Sequence, residues 1–157
     1  MRLMDLLSEE VVTTSLAAAG REEAIAALVR LLVAQGHLAA ADAQAVERAV
    51  LEREAVQSTG LGGGVAIPHG LSAAVEDVVA ALALLPAGVD WGSVDGEPVR
   101  LVILLVVPPN AFQAHVRTLA GIARLLNDSD LREQLLAARS PAEVVDVLIE
   151  REEAAFS

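Results

Sequence analysis

The sequence predicts a single α/β domain over residues 1–157, in which helices flank a buried β-sheet. Three observations predict this class. Two near-continuous apolar runs, at 78–85 and 99–107, are typical of strands buried on both faces. Segments with helical spacing of apolar residues precede and follow these runs. A chain of 157 residues with 54% apolar composition can also build one core without disulfides.

Two helices are predicted before the sheet. Residues 21–35 place apolar side chains three and four positions apart, and Gly36 supplies a helix stop. These apolar positions are Ile25, Leu28, Leu31 and Leu32. A second helical pattern runs from about residue 40 to residue 54 and puts Arg53 in its last turn.

A glycine-rich segment follows the second helix. Residues 57–64 contain four glycines in eight positions, a composition that excludes a stable helix or an interior strand. A shaped loop is therefore predicted. Residues 65–67 then form a short apolar strand, which Pro68 ends, and His69 lies at the exit of that strand.

The second half of the chain continues the alternation of strands and helices. The run at 99–107 stops at two prolines, 108–109, and a helix is predicted from about residue 110 to residue 126 with His115 in its first half. Ser140 and Pro141 are typical of an N-cap and first helical residue, so a C-terminal helix is predicted to about residue 151. No internal repeat or linker divides the chain.

The composition excludes several kinds of chemistry. The chain has no cysteine, which excludes disulfides, a thiolate nucleophile and cysteine-ligated metal sites. Its eleven basic residues are all arginines, so neither a Schiff-base lysine nor a P-loop lysine is present. The formal net charge of −11 argues against nucleic-acid binding, because phosphate contacts need a basic face.

Localisation also follows from charge and hydropathy patterning. The longest stretch without charged side chains, residues 55–75, contains Gln57, Ser58, Pro68, His69 and several glycines and is not a membrane span. The N-terminus meets Asp5 before any apolar signal core. We therefore expect a cytoplasmic protein that is not embedded in a membrane.

His69 is the first candidate for chemistry. Pro68 and Gly70 flank it, one rigid and one permissive, and a neutral imidazole is a competent nucleophile near pH 7. The preceding glycine loop could cradle a phosphate with its backbone N–H groups, although it matches neither the dinucleotide fingerprint nor the P-loop. A tight turn before the strand is the structural alternative for the loop, and a packed or surface residue is the alternative for His69.

His115 and Arg53 are the other candidates, because phosphoryl transfer depends on positioning and on neutralising the phosphoryl oxygens. The structural alternatives are an exposed helix residue for His115 and, for Arg53, a cation that complements the helix dipole. His37 is interpreted as a surface residue. A metal site built from His69 and His115 is a further alternative, although their separation matches no metal-ligand spacing.

The segment from Arg53 to Gly70 closely resembles a known signature. The residues that carry the resemblance are Arg53-Glu54, Ser58-Thr59-Gly60-Leu61-Gly62 and Gly64-Val65-Ala66-Ile67-Pro68-His69-Gly70. They resemble the active-site signature of enzyme IIA domains of the phosphoenolpyruvate-dependent phosphotransferase system, in the fructose, mannitol and nitrogen-regulatory class. Residues 88–99, His115, Leu119 and 125–126 resemble later blocks of the same family.

The resemblance implies a mixed sheet sandwiched between helices and a phosphotransferase component that works as a phosphocarrier. His69 would accept a phosphoryl group from an HPr-type carrier, His115 would stabilise the phosphoryl group or the imidazole, and Arg53 would neutralise charge. No metal or organic cofactor would be required. The candidate phosphate-binding residues are Ser58, Thr59, Gly60, Gly62, Gly64 and Gly70.

The partners implied by the resemblance leave two roles open. The chain would pass the phosphoryl group to a sugar-permease IIB domain, or its phosphorylation state would decide which regulatory target protein it binds. Two positions depart from the family pattern: Leu71 stands where many members carry Arg, Lys or Thr, and Gly63 where relatives often carry a polar or acidic side chain. The alternative function is therefore a degenerate IIA-like binding module that is never phosphorylated.

Overall fold

The computed structural model describes residues 3–156, and the side chains of residues 3–154. The helices are α1 (Arg21–Ala34), α2 (Ala43–Val56), α3 (Phe112–Leu126), α4 (Ser129–Leu136) and α5 (Pro141–Phe156). The strands are β1 (Val12–Thr13), β2 (Gly60–Gly62), β3 (Val65–Ala66), β4 (His69–Leu71), β5 (Val79–Val89) and β6 (Val99–Val107). Short 3-10 helices lie at Leu3–Asp5, Glu9–Val11, Ala40–Asp42 and Pro109–Ala111.

The strands form one mixed sheet, as the family resemblance implies. Its order is β1-β5-β6-β3-β2, and β4 also pairs with β6. The long central pair β5 and β6 is antiparallel, whereas β1 runs parallel to β5, and both β3 and β4 run parallel to β6. The two short strands β3 and β4 therefore follow one another along the same edge of β6, and His69 opens the second of them.

Strand β6 explains why both faces of the sheet are covered. Every residue from Leu101 to Val107 is buried. Because successive side chains of a strand point to opposite faces, this unbroken burial requires helices on both sides. Helix α2 packs against β4 and α1 against β5, while α5 packs against β1. The predicted α/β class is confirmed.

Several predicted boundaries need correction. The predicted loop at 57–64 contains the strand β2, which glycine permits because β2 lies at the sheet edge and pairs only with β3. The second helix begins at Ala43, after a 3-10 turn, rather than near residue 40. Strand β5 continues beyond residue 85 to Val89, with a register shift around Pro86, whose missing N–H is tolerated at such an irregularity.

Helix α4 and the strands β1 and β4 were also not predicted. The sequence placed His69 at the exit of a strand over 65–67, whereas β3 ends at Ala66 and His69 opens β4. Helix α4 has only eight residues, but Asp128 caps it: the Asp128 carboxylate accepts hydrogen bonds from the backbone N–H groups of Asp130 and Leu131. Strand β1 has two residues, too few for a periodic pattern. The C-terminal helix α5 also extends to Phe156 rather than ending near residue 151.

Candidate active site

His69 is held rigidly at the start of β4. Its strand pairs with β6, where His69 lies opposite Leu105, and the Leu105 N–H donates to the carbonyl of Pro68 at 3.0 Å. The next residue, Gly70, is buried against α2, so close that a Cβ at this position would lie 3.0 Å from the backbone nitrogen of Val50. The absence of a side chain at Gly70 thus lets α2 approach the strand that carries His69.

The His69 ring is oriented by one backbone carbonyl. Its Nδ1 atom lies 3.0 Å from the carbonyl oxygen of Ile67, two residues earlier in the chain. A carbonyl can only accept, so Nδ1 carries the proton and donates it. Nε2 is then the unprotonated nitrogen, with its lone pair available for nucleophilic attack.

Burial lowers the pKa of the His69 imidazole below its ordinary value of 6.5. The hydrogen bond to the Ile67 carbonyl opposes this effect, because it favours the protonated ring. The positive charge of Arg53 lowers the pKa further, whereas the negative charge of Glu54 raises it. The net result is an imidazole that stays neutral at and somewhat below neutral pH.

His69 and Arg53 line one pocket of about 290 Å³. One side of it comes from the end of α2 and the segment that follows, and the other side comes from α3. Its lining residues are Arg53, Gln57, Ser58, Thr59, Leu61, Ile67, His69, Leu119, Ala120 and Ala123. The pocket therefore combines a guanidinium and an imidazole with mostly apolar walls.

Arg53 occupies the last turn of α2, as predicted. Its Nη1 donates to the carbonyl oxygen of Gln57 at 2.7 Å, and the side chain is half-buried. This bond satisfies a carbonyl just beyond the helix end, which is the dipole-complementing role weighed for Arg53. The same side chain lines the pocket beside His69, so the two roles are compatible.

His115 lies on α3, one helical turn before Leu119, which lines the pocket. Its side chain is only 9% exposed, so the alternative interpretation of His115 as an exposed helix residue is wrong. Its Nδ1 is buried without a hydrogen-bond partner among the described residues. His115 is not among the residues that line the His69 pocket. His37, by contrast, is at the surface as expected, with Nε2 2.8 Å from Glu10.

The predicted phosphate loop has a turn geometry in which several N–H groups are already engaged. The Thr59 N–H donates to Glu54 at 2.7 Å, the Gly60 N–H to Ser58 Oγ at 3.1 Å, and the Gly63 N–H to Asp95 at 2.9 Å. Of the six residues named for phosphate binding, Ser58 and Thr59 line the pocket. A role for this loop in holding a phosphoryl group stays a prediction.

The glycines of this loop have distinct structural reasons. A Cβ at Gly60 would lie 2.1 Å from Ser93 Oγ, so Ser93 leaves no space for a side chain at this position. Gly62 and Gly64 adopt φ values of +84° and +82°, in the left-handed region that favours glycine. Gly62 and Gly64 therefore shape the β2–β3 turn, and Gly60 lets the start of β2 lie close to Ser93. This agrees with the structural interpretation of the segment as a tight turn.

Glu54 was quoted in the signature but given no role by the sequence. It is 2% exposed, and its carboxylate accepts hydrogen bonds from both the N–H and the hydroxyl of Thr59. The sequence shows that an acidic residue directly follows Arg53. The helical pattern could not predict that this residue is buried. Glu54 thus fixes the start of the wall that carries Ser58 and Thr59.

Residues 5–151 of the amino-acid sequence match the model of a protein family described as phosphoenolpyruvate-dependent sugar phosphotransferase system, EIIA 2. The chain belongs to this EIIA family. The family resemblance of the Arg53–Gly70 signature is thereby confirmed.

Two relatives illustrate the range of EIIA proteins that this chain resembles. It is 36% identical to a nitrogen regulatory protein of Bradyrhizobium diazoefficiens over 94% of this chain and 95% of the relative. It is 33% identical to a fructose-specific EIIABC component of Bacillus subtilis over 94% of this chain, but the match spans only 23% of that longer protein. EIIA sequences of regulatory and of sugar-specific systems are thus similar to this one.

Solved EIIA structures have the same fold. The nitrogen regulatory protein IIA-Ntr of Neisseria meningitidis superposes with a TM-score of 0.82 at 30% identity, covering 92% of this chain and 97% of that one. A chain in the complex of enzyme IIAMTL with phosphorylated enzyme IIBMTL from Escherichia coli superposes with a TM-score of 0.76 at 27% identity, covering 92% of this chain and 97% of that one.

The two departures of this EIIA from the family pattern differ in their surroundings. Leu71 is 43% exposed and lies two residues after His69 on β4, so both side chains project from the same face of the strand. Gly63 is exposed, with a φ of +65°, and a Cβ there would lie 2.9 Å from the guanidinium carbon of Arg132. Leu71 therefore adds apolar surface near the imidazole, and Gly63 leaves room for Arg132.

Among the residues that the structure describes, no group of three or more His, Cys, Asp or Glu side chains is placed to hold a metal ion. Within the same part of the chain, no helix combines the length and the apolar character needed to cross a bilayer.

Proposed function

We propose that this chain is a phosphocarrier that accepts a phosphoryl group on Nε2 of His69 from an HPr-type carrier and passes it on. The single observation that carries the proposal is the hydrogen bond from Nδ1 of His69 to the Ile67 carbonyl, which leaves Nε2 as the nucleophilic nitrogen. The neighbouring guanidinium of Arg53 in the same pocket supports it, since a phosphoryl group brings negative charge.

The transfer is an in-line exchange between two imidazoles. The Nε2 lone pair forms the new N–P bond while the donor's N–P bond breaks, and the electron pair of that bond returns to the donor nitrogen. The Nδ1 proton stays on His69, where the Ile67 carbonyl holds it and stabilises the positive charge that develops on the ring. Donation to the next protein is the same exchange in reverse.

Arg53 and the pocket walls supply the remaining requirements of phosphoryl transfer. The guanidinium is permanently charged and planar, which suits the equatorial oxygens that share charge in the transition state. Leu61, Ile67 and Leu119 line the pocket and exclude water, the competing acceptor, when a partner covers the site. His115 would hydrogen-bond a phosphoryl oxygen or steady the imidazole, a role supported by its Nδ1, unpartnered among the described residues, and by its place one helical turn from Leu119, which lines the pocket.

We propose that the exchange takes place in the cytoplasm. The receiver of the phosphoryl group is a IIB domain or a regulatory target protein. The first receiver is supported by the enzyme IIAMTL complex with phosphorylated enzyme IIBMTL, and the second by similarity to nitrogen regulatory proteins. The family match over residues 5–151 does not favour the alternative of a degenerate module that is never phosphorylated.

Intact-mass spectrometry tests the proposal. The protein is incubated with phosphoenolpyruvate, enzyme I and an HPr-type carrier, beside the variants His69→Ala and His37→Ala, where His37 is an exposed histidine outside the pocket. We expect one acid-labile phosphoryl adduct in the native chain and in His37→Ala, and none in His69→Ala. An adduct on His69→Ala, or none on the native chain with its own competent carrier, would overturn the proposal.

A further inference from the structure

Glu54 is a buried carboxylate beside the candidate active site. It lies in the last turn of α2, directly after Arg53, and is 2% exposed. Its Oε2 accepts the Thr59 N–H at 2.7 Å, and its Oε1 accepts the Thr59 hydroxyl. Both contacts fix Thr59, which together with Ser58 lines the pocket opposite α3.

Arg21 connects this carboxylate to a third part of the fold. Arg21 opens α1, and its Nη1 lies 3.9 Å from Glu54 Oε2 and donates to the carbonyl oxygen of Trp91 at 3.2 Å. The Ser58 hydroxyl donates to the same Trp91 carbonyl, also at 3.2 Å. Arg21, Glu54, Ser58, Thr59 and Trp91 thus form one network behind the pocket wall.

A charged side chain is not needed to make the contacts to Thr59. A neutral amide also offers an acceptor for the Thr59 N–H and a donor for the Thr59 hydroxyl, and it avoids the cost of burying a charge. The Arg21 guanidinium compensates the buried charge of Glu54 only in part, because its Nη1 lies 3.9 Å from Glu54 Oε2 and the Arg21 side chain is 35% exposed. The contacts to Thr59 alone therefore do not account for a carboxylate at this position.

The charge of Glu54 acts on His69 in the direction opposite to that of Arg53. Glu54 favours a positive ring at His69, and Arg53 disfavours one. Phosphorylation at Nε2 adds a phosphoryl group that carries about −1.5 to −2 charges, while the ring, with Nδ1 still protonated, becomes positive. The site as a whole therefore becomes more negative. Arg53 then attracts the phosphoryl group, and Glu54 repels it.

We propose that Glu54 is a positioning residue that also sets the phosphoryl-transfer equilibrium: it fixes the Ser58–Thr59 wall, and its charge raises the free energy of the phosphorylated state so that the group can be released. This inference rests on the proposed phosphorylation of His69. With Arg53 alone, the phosphorylated state of His69 would be more stable and its phosphoryl group harder to release. The opposite charge of Glu54 offsets part of this stabilisation.

The test compares Glu54→Gln with Glu52→Gln, an exposed glutamate on the same helix that loses the same charge. The measured quantity is the equilibrium ratio of phosphorylated to free chain with a phosphorylated HPr-type carrier. For Glu54→Gln we expect the ratio to rise about 3- to 10-fold, because a repulsive partly buried charge is lost. For Glu52→Gln we expect less than about twofold, because solvent and salt screen an exposed charge.

A second readout separates electrostatics from a purely structural role. In Glu54→Gln the pKa of His69, followed by NMR, should fall below that of the native chain, because the charge that raises it is removed. A structural role alone would lower the unfolding midpoint without moving the ratio or this pKa in these directions. If Glu54→Gln fails to fold, Glu54→Met, which removes the same charge with a side chain of similar length, should move both quantities in the same directions.

The outcomes distinguish this inference from the proposed function. A native chain that is not phosphorylated at all contradicts the proposed function and with it this inference. A native chain that is phosphorylated, with Glu54→Gln matching Glu52→Gln in ratio and in the His69 pKa, overturns the inference alone.

Discussion

The Nδ1 atom of His69 and the carbonyl oxygen of Ile67 lie 3.0 Å apart, so a backbone group two residues earlier fixes which nitrogen of the imidazole is free. Pro68, between them, lies in the two-residue link from β3 to β4, and its ring fixes the backbone φ angle there. The nucleophile's tautomer is thus determined by local backbone geometry rather than by a neighbouring carboxylate.

The phosphorylation rate should fall only at a pH below 6.5, because the pKa of His69 is lowered. Burial and Arg53 keep the ring neutral to pH values below 6.5, so the nucleophilic form persists where an ordinary histidine is half protonated. We expect the NMR titration midpoint of His69 in the folded chain to lie below that of the urea-unfolded chain. A midpoint at or above the unfolded value would contradict this description of the site.

The same shift affects stability. Between the folded and the unfolded pKa, the unfolded chain binds more protons, so the contribution of His69 is fully present above pH 6.5 and is lost as the pH falls through the folded value. We expect His69→Gln to lose less stability than the native chain when urea unfolding is compared at pH 8 and pH 5.5. An equal loss in both proteins would show that His69 titrates alike in the two states.

Replacement of Arg53 should slow phosphoryl transfer while leaving the fold intact. The guanidinium is half-buried and lines the pocket that holds His69, so Arg53→Gln removes a cation from this pocket, and the rate should fall about 100-fold. Arg53→Lys keeps the charge but not the planar guanidinium, so its transfer rate should lie between those of the native chain and Arg53→Gln. Rates are measured by rapid-quench mass spectrometry.

The control for Arg53 is Arg48→Gln on the exposed part of the same helix. Its transfer rate should stay within about twofold of the native rate, because an exposed charge is screened by solvent and salt. Equal rates for Arg53→Gln and Arg48→Gln would leave Arg53 with only its helix-end contact to Gln57.

His115→Ala should slow phosphorylation of His69 without preventing folding. A hydrogen bond to a charged group is worth about 1.5–3 kcal/mol, so its loss should reduce the rate about 10- to 100-fold. Gln113→Ala, at an exposed position of α3, serves as the matched control. A native rate in a folded His115→Ala protein would mean that this buried histidine is a packing residue.

Gly70→Ala should destabilise the fold by about 1–3 kcal/mol, because the new Cβ would lie 3.0 Å from the backbone nitrogen of Val50 and α2 would have to move away from β4. Gly121→Ala provides the opposite control. A Cβ at Gly121 meets nothing within 4 Å, and glycine within a helix is about 0.5–1 kcal/mol worse than alanine, so this variant should be more stable. Urea unfolding measures both, and equal stabilities would contradict the close approach at Gly70.

Strong local patterns in the sequence predicted the main elements correctly. The apolar run at 99–107 became β6, and the periodic segment from Arg21 became α1. The edge strand β2 was missed because glycine excludes interior strands but not edge ones. The short helix α4 was missed because eight residues carry little periodicity, although its Asp128 cap was a readable signal.

The sequence named His115 together with His69 and Arg53, but His115 does not line the pocket, and the roles of all three stay predictions. The signature identified His69 and Arg53, and the pocket places both on its lining. The burial of Glu54 could not be predicted, because its partner Arg21 comes from a different helix. The Ile67 carbonyl was equally hidden, since a backbone hydrogen bond leaves no mark on residue identity.

The most direct test of the account identifies the phosphorylated nitrogen. The chain is labelled with ¹⁵N-histidine and phosphorylated through an HPr-type carrier, and the two ring nitrogens of His69 are distinguished by long-range ¹H–¹⁵N NMR. The hydrogen bond from Nδ1 to Ile67 requires the new N–P bond to form at Nε2. A phosphoryl group on Nδ1 of His69, or on another residue, would contradict the account.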